Sequence, residues 1–235
     1  MHASWLRQGF FVLGDDGFMP SVRRLLEQHL SQPQGTLRIR NYPVASHWKH
    51  TYWWREGKTE FAEAQFFAQI AKSYPVLSLG VAIEKGFEDE RATADTAKLM
   101  DRHTWDWPRL PDNIDEVLAT DVVEAAQGIS GPVNLRINSK RVVDGESLGW
   151  EMRAFSIVEG TWYERYVGAV TPDTIASYIR GVDERRDSWV IVHFGEDLAP
   201  TEAEGLSPEQ TAVKLMRFNP VRRRLRGVPS AILRV

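Results

Sequence analysis

The chain has no cysteine among its 235 residues. Disulfides, thiolate metal sites and cysteine nucleophiles are excluded, and a reducing cytoplasm is the expected home. Long hydrophobic runs are also missing. The first apolar stretch, Phe10–Leu13, is too short for the core of a signal peptide or for a membrane span. A soluble, cytoplasmic protein without a membrane partner is therefore expected. Glycine-rich phosphate or cofactor cradles are absent too: there is no GxxxxGK loop followed by Ser or Thr, and no GxGxxG after a strand. No HExxH pair occurs, and the one GxSxG spelling, Gly145-Glu146-Ser147-Leu148-Gly149, lies between two expected strands rather than at the strand-to-helix turn that a nucleophile elbow needs. P-loop hydrolysis, dinucleotide oxidoreduction, α/β-hydrolase chemistry and zincin chemistry are disfavoured, and no cofactor is expected.

What is present is ordinary in bulk and uneven in distribution. A hydrophobic fraction of 43% and a charged fraction of 26% fit one large globular domain or two small ones. Net charge is −3, but Lys214 to Val235 holds seven basic residues and no acid, which leaves about −10 on the rest. Such asymmetry points to nucleic acid or an acidic surface, or else to a basic terminal helix packed on an acidic body. Residues Glu60–Glu124 carry fourteen acids against six bases, a surface suited to a basic partner.

Two aromatic stretches echo one another: His50-Thr51-Tyr52-Trp53-Trp54 and His103-Thr104-Trp105-Asp106-Trp107. With Trp48 they hold five of the nine tryptophans. The first copy lies in a basic segment, Arg38 to Lys58, with Arg38, Arg40, Lys49, Arg55 and Lys58 against the single acid Glu56. Cations track phosphates and aromatic faces stack bases. A ribbon carrying both is a candidate reader of single strands or flipped bases. In an alternating strand Tyr52 and Trp54 share one face, and Trp53 and Arg55 the other. The competing reading puts the aromatics in the core with the cations at its rim.

Hydrophobic periodicity gives the elements. A strand is expected at Gly9–Gly14, a helix at Pro20–Leu30, and an alternating strand at Thr36–Arg40 that Pro43 confines to an edge or bend. Trp48–Arg55 is β-prone. Phe61, Ala64, Phe67, Ala68 and Ala71 recur at helical spacing and predict a helix over Thr59–Ser73. Val76–Glu84 is an apolar run suited to a strand buried on both faces. Helices are expected at about Glu88–Asp101 and Ile114–Ala126. Gly128–Pro132 is the best linker. Three strands follow, Val133–Val143, Leu148–Val158 and Thr161–Val170. Thr171-Pro172 opens a helix to about Val182, and Ser188–Gly195 is a strand. Ser207-Pro208-Glu209-Gln210 predicts a capping box and a helix to about Phe218, stopped by Pro220. The basic run behind it, Arg222-Arg223-Arg224-Leu225-Arg226, reads as a mobile tail available to phosphate.

The order does not alternate strictly between strands and helices, so a doubly wound parallel sheet is disfavoured. An α+β fold with mixed β-sheets and flanking helices is expected, divided into sub-domains 1–128 and 129–235.

The leading function is nucleic-acid binding, in DNA processing or in defence against foreign DNA. Its candidate residues are Arg38, Arg40, Trp48, Lys49, His50, Tyr52, Trp53, Trp54, Arg55 and Lys58, with Arg222, Arg223, Arg224 and Arg226, and Trp105 and Trp107 as further aromatic contacts. A non-catalytic protein-interaction module is the alternative. The third reading, a metal-dependent nuclease, needs carboxylates around Mg²⁺ and a nearby lysine. Glu56-Gly57-Lys58 with Asp15 or Asp16 offers one loose match; Asp144, Glu151 and Arg153 offer another. His47, His50 and His103 lack a spacing that demands Zn²⁺, and no metal is expected. The acids Glu84, Glu88, Asp89 and Glu90 fit a solvated helix start better than a cation site.

Overall fold

The computed structural model describes residues 17–43, 48–56, 65–71, 76–85, 121–143, 146–183, 188–203 and 205–225. The expected strand at Gly9–Gly14, the helix at Glu88–Asp101, the nuclease acids Asp15, Asp16 and Asp144 and the second aromatic echo lie outside them. The described chain is α+β. It forms two compact units, one from residues of 17–56, 65–81 and 195–219, the other from residues of 82–194 and 220–225. Gly128–Pro132 falls inside the second unit.

The first unit opens with helix α1 (Phe18–His29). Met19, Val22 and Leu26 recur at helical spacing and are buried. Glu27 is buried beside them, and its Oε1 accepts the backbone N–H groups of Gly35 and Leu37 at 3.0 and 2.8 Å. This carboxylate ties the helix end to the start of strand β1 (Leu37–Pro43). Strand β2 (Trp48–Glu56) pairs antiparallel with β1 and with β3 (Gln65–Ala71). This unit also holds the first part of strand β4 (Leu77–Lys85) and the last part of strand β9 (Ser188–Leu198).

Strand β3 corrects the helix expected over Thr59–Ser73. Residues Gln65 to Gln69 are all buried, so neighbours of both parities face packed surroundings. A strand covered on both faces loses its alternation, and a short apolar run cannot then be told from a helix. The adjacent Phe66 and Phe67, both β-prone, are fully buried.

In the second unit the strands neighbour in the order β9-β5-β6-β7-β8. Strand β5 (Val133–Val143) has the expected bounds and pairs with β6 (Glu146–Val158). The segment expected as one strand over Thr161–Val170 is a hairpin, β7 (Thr161–Glu164) and β8 (Gly168–Val170). Its turn is set by Tyr166 at φ 69° and Gly168 at φ 114°. Glu159 and Gly160 both take positive φ, 49° and 78°, and close the β6–β7 hairpin as a two-residue turn of the primed kind. All five registers described are antiparallel, and the expected mixed sheet is not shown by them.

The remaining helices are α2 (Val123–Gln127), α3 (Pro172–Asp183), α4 (Pro200–Ala203), α5 (Pro208–Met216) and α6 (Asn219–Arg224). Thr171 Oγ1 accepts the Thr174 N–H at 3.3 Å, as its place before Pro172 predicts. The capping box of α5 forms: Gln210 N–H donates to Ser207 Oγ at 3.2 Å, and Ser207 N–H to Gln210 Oε1 at 2.9 Å. α5 packs against α1 within the first unit.

Pro220 does not end the helical region. It lies in the first turn of α6, where its missing N–H leaves no intrahelical bond unmade.

Candidate functional site

The basic, aromatic segment folds as the β1–β2 ribbon. In its register Arg38 stands opposite Arg55, Arg40 opposite Trp53, and Asn41 opposite Tyr52. On the far side of β2, Trp53 stands opposite Phe67 and Trp54 opposite Phe66. Directly opposed residues of an antiparallel pair share a face. The register thus brings Arg38 and Arg40 of β1 to positions paired with Arg55 and Trp53 of β2, and Ile39 and Asn41 to positions paired with Trp54 and Tyr52. Trp48, Lys49 and His50 occupy the start of β2, where the register with β3 shifts between Trp48 and His50. Lys58 and Arg226 lie outside the described residues, as do His47 and His103. Among the described residues, no group of three or more His, Asp or Glu is placed to hold a metal ion.

The basic run near the C-terminus is divided by helix α6 rather than free as a tail. Arg222 is 3% exposed and sits on the buried side with Val221. Arg223 and Arg224 are exposed. Arg224 reaches the Asp121 carboxylate at 3.7 Å, with both side chains more than half exposed. Such a pair contributes little to stability and leaves the guanidinium accessible. The alternation of inward and outward arginines follows from the helix turning 100° per residue.

Several buried polar groups went unread in the sequence. Glu196 on β9 is 3% exposed, and Lys214 Nζ lies 3.3 Å from each of its carboxylate oxygens. Arg217 Nη1 lies 2.9 Å from Glu196 Oε2. Lys214 and Arg217 are three apart, the spacing that puts two helical side chains on one side. That spacing was the only signal in the sequence, and the acid they meet comes from a strand far from them in the chain. In the second unit, buried Glu164 pairs with Arg153 at 3.2 Å, and the Arg153 guanidinium lies 4.4 Å from the Tyr178 ring centre. Both are ion-pair clusters around a buried carboxylate; Arg153, a nuclease candidate by sequence, is held in the second.

His193 on β9 is buried. Desolvation first, and the charge of Arg136 second, push its pKa from 6.5 to about 3. The ring is therefore neutral in the folded protein and readily protonated once unfolded. Stability from this group is complete above pH 6.5 and is lost as pH falls toward 3. Between pH 7.5 and pH 5.5 the loss should be roughly 1 kcal/mol, since each pH unit below the unfolded pKa is worth about 1.4 kcal/mol. Urea unfolding at the two pH values measures it. A His193→Gln variant should show a shallower acid slope; an unchanged slope would remove His193 as its source.

No family model, no curated protein and no solved structure matches this chain. Among the described residues, no helix is long and apolar enough to cross a membrane.

Proposed function

We propose that the protein binds nucleic acid, with the β1–β2 ribbon as the contacting element. The observation that carries this reading is the register, with Arg38 opposite Arg55 and Arg40 opposite Trp53. Like charges directly opposed across a sheet are mutually destabilising. A phosphate between them offsets that repulsion, and the next pairing in the register brings in a tryptophan, a residue type on which bases stack. β1 is the last strand at its end of the order, so the ribbon lies at a sheet edge. The exposed Arg223 and Arg224 of α6 supply further phosphate contacts.

The test is fluorescence anisotropy with labelled single- and double-stranded oligonucleotides at low salt. The expected result is binding whose log-affinity falls linearly with log salt concentration. In the triple variant Arg38→Ala, Arg40→Ala, Arg55→Ala the salt slope should shrink by about 2–3, one phosphate contact per arginine. No binding of either oligonucleotide at micromolar protein would reject the reading.

A further inference from the structure

Glu27 stands in the last turn of α1 and is 1% exposed. One of its oxygens, Oε1, takes both backbone donors already described, Gly35 N–H and Leu37 N–H. The other, Oε2, makes no hydrogen bond among the described residues. Arg23, one turn earlier, brings its Nε to 4.0 Å from Oε1. The connection from α1 to β1 is closed around the same residue. Gln32 N–H donates to the Glu27 carbonyl at 2.8 Å. Thr36 donates to the Pro33 carbonyl through its N–H at 3.2 Å and its hydroxyl at 2.7 Å. Gly35 takes φ 87°, a conformation open to glycine.

Leu37 is the first residue of β1, and β1 ends the strand order with β2 as its neighbour. An outermost strand is located by one ladder and by whatever holds its ends. The apolar pattern does not locate β1 uniquely. Leu37 is buried and Ile39 half-buried. A slip of two positions puts one branched aliphatic residue in the place of the other and preserves the alternation of the strand. The same slip sets Arg38 opposite Trp53 instead of Arg55. Hydrophobic matching barely separates the two registers. The carboxylate does separate them, because a buried N–H that loses its acceptor costs more than an ordinary hydrogen bond contributes.

From this geometry we propose that Glu27 is a positioning residue for the ribbon. Its Oε1 selects the β1–β2 register in which Arg38 opposes Arg55 and Arg40 opposes Trp53. β2 is the fixed member of the pair: it is also held by β3, where Trp53 opposes Phe67 and Trp54 opposes Phe66, and both phenylalanines are fully buried. β1 is the member that the carboxylate places. Helix α1 packs against α5 in the same unit, which gives Glu27 a firm base. Glu27 acts through the backbone of Leu37 and is not itself a ligand contact. The consequence for binding rests on the ribbon reading above; the selection of the register does not.

The chain has no cysteine, so two introduced thiols report the register without competitors. Tyr42 and Thr51 are directly opposed. Tyr42→Cys with Thr51→Cys therefore places the pair within disulfide reach. A slip of two makes the positions diagonal, about 7–8 Å apart and past the usual span of a disulfide. The pair is carried in the wild-type background, in Glu27→Gln and in Glu27→Met. Glutamine keeps the Oε1 acceptor and puts its nitrogen where Oε2 bonds nothing; methionine keeps the length and has no oxygen. In a glutathione buffer the effective concentration of the two thiols should be unchanged in Glu27→Gln and about tenfold lower in Glu27→Met. An equal link in folded Glu27→Met would overturn the proposal. Loss of the link in Glu27→Gln would overturn it too, whether or not the methionine variant folds. Anisotropy on the same two Glu27 variants without the thiols separates the binding question. Glu27→Met should bind oligonucleotides several-fold more weakly than Glu27→Gln. If the wild type binds neither oligonucleotide, the ribbon reading fails and the thiols still decide the role of Glu27.

Discussion

Replacing Glu196 with alanine is expected to lower the stability of the folded protein by about 2–4 kcal/mol. The carboxylate is buried, and it accepts from Lys214 and Arg217 at 3.3 and 2.9 Å. Removing it takes away the one carboxylate that both cations share. Breaking a fully buried pair costs about 3–5 kcal/mol. Lys214 and Arg217 are 29% and 21% exposed, so water recovers part of that cost and the expected value is lower. Chemical denaturation of Glu196→Ala beside Glu196→Gln measures it. The glutamine variant keeps the shape and one acceptor and should lose less. A loss below about 0.5 kcal/mol in the alanine variant would mean that the cluster behaves as a surface ion pair.

Replacing Gly195 with alanine is expected to cost about 2–3 kcal/mol, near the upper end of the overpacking range. A Cβ at this position would lie 2.6 Å from the Leu79 carbonyl oxygen and 3.3 Å from Phe67 Cζ. The oxygen belongs to the backbone of β4, so no rotamer change relieves the contact. Phe67 is fully buried and has little room to move. At this chain length each kcal/mol shifts the melting temperature by about 2–4 °C, so a fall of roughly 4–12 °C should be seen by calorimetry. At Gly205 a Cβ would meet nothing within 4 Å, so this glycine serves as the control: Gly205→Ala should leave the melting temperature nearly unchanged. Equal melting temperatures for the wild type and Gly195→Ala would show that β4 and β9 separate without cost at this point.

The two residues show why neighbours in sequence can be unequal in legibility. Gly195 marked the end of a predicted strand, because glycine commonly punctuates strands. In the fold the strand runs on to Leu198, and the glycine is there for close approach of another backbone. Nothing in the local sequence separates those two roles. Glu196 carried no periodic signal at all, since its partners lie on a helix beyond the strand.

The ribbon is a case of partial legibility. Alternation predicted that Trp53 and Arg55 share a face of β2. It did not fix which residues of β1 stand opposite them, because a slip of one position exchanges the faces. The register sets Arg38 against Arg55 and Arg40 against Trp53. The row Asn134, Ser156, Tyr163 and Ala169 in the second unit was illegible for the same reason: the four residues are spread along the chain and align only through strand pairing.

By itself the sequence determined those features whose physics is local. The capping box at Ser207 and Gln210, the Thr171-Pro172 helix start and the bounds of β5 all depend on residues within a few positions of one another. The absence of cysteine likewise settled the question of disulfides without any fold. Tertiary structure decided whatever depends on what covers a segment. It made β3 a strand, because burial on both faces erased the alternation that would have marked it. It turned Arg222 inward and left Arg223 and Arg224 outside. It also brought Glu196 to Lys214 and Arg217. Propensity and spacing act over a few residues, whereas burial and charge pairing act between segments far apart in the chain.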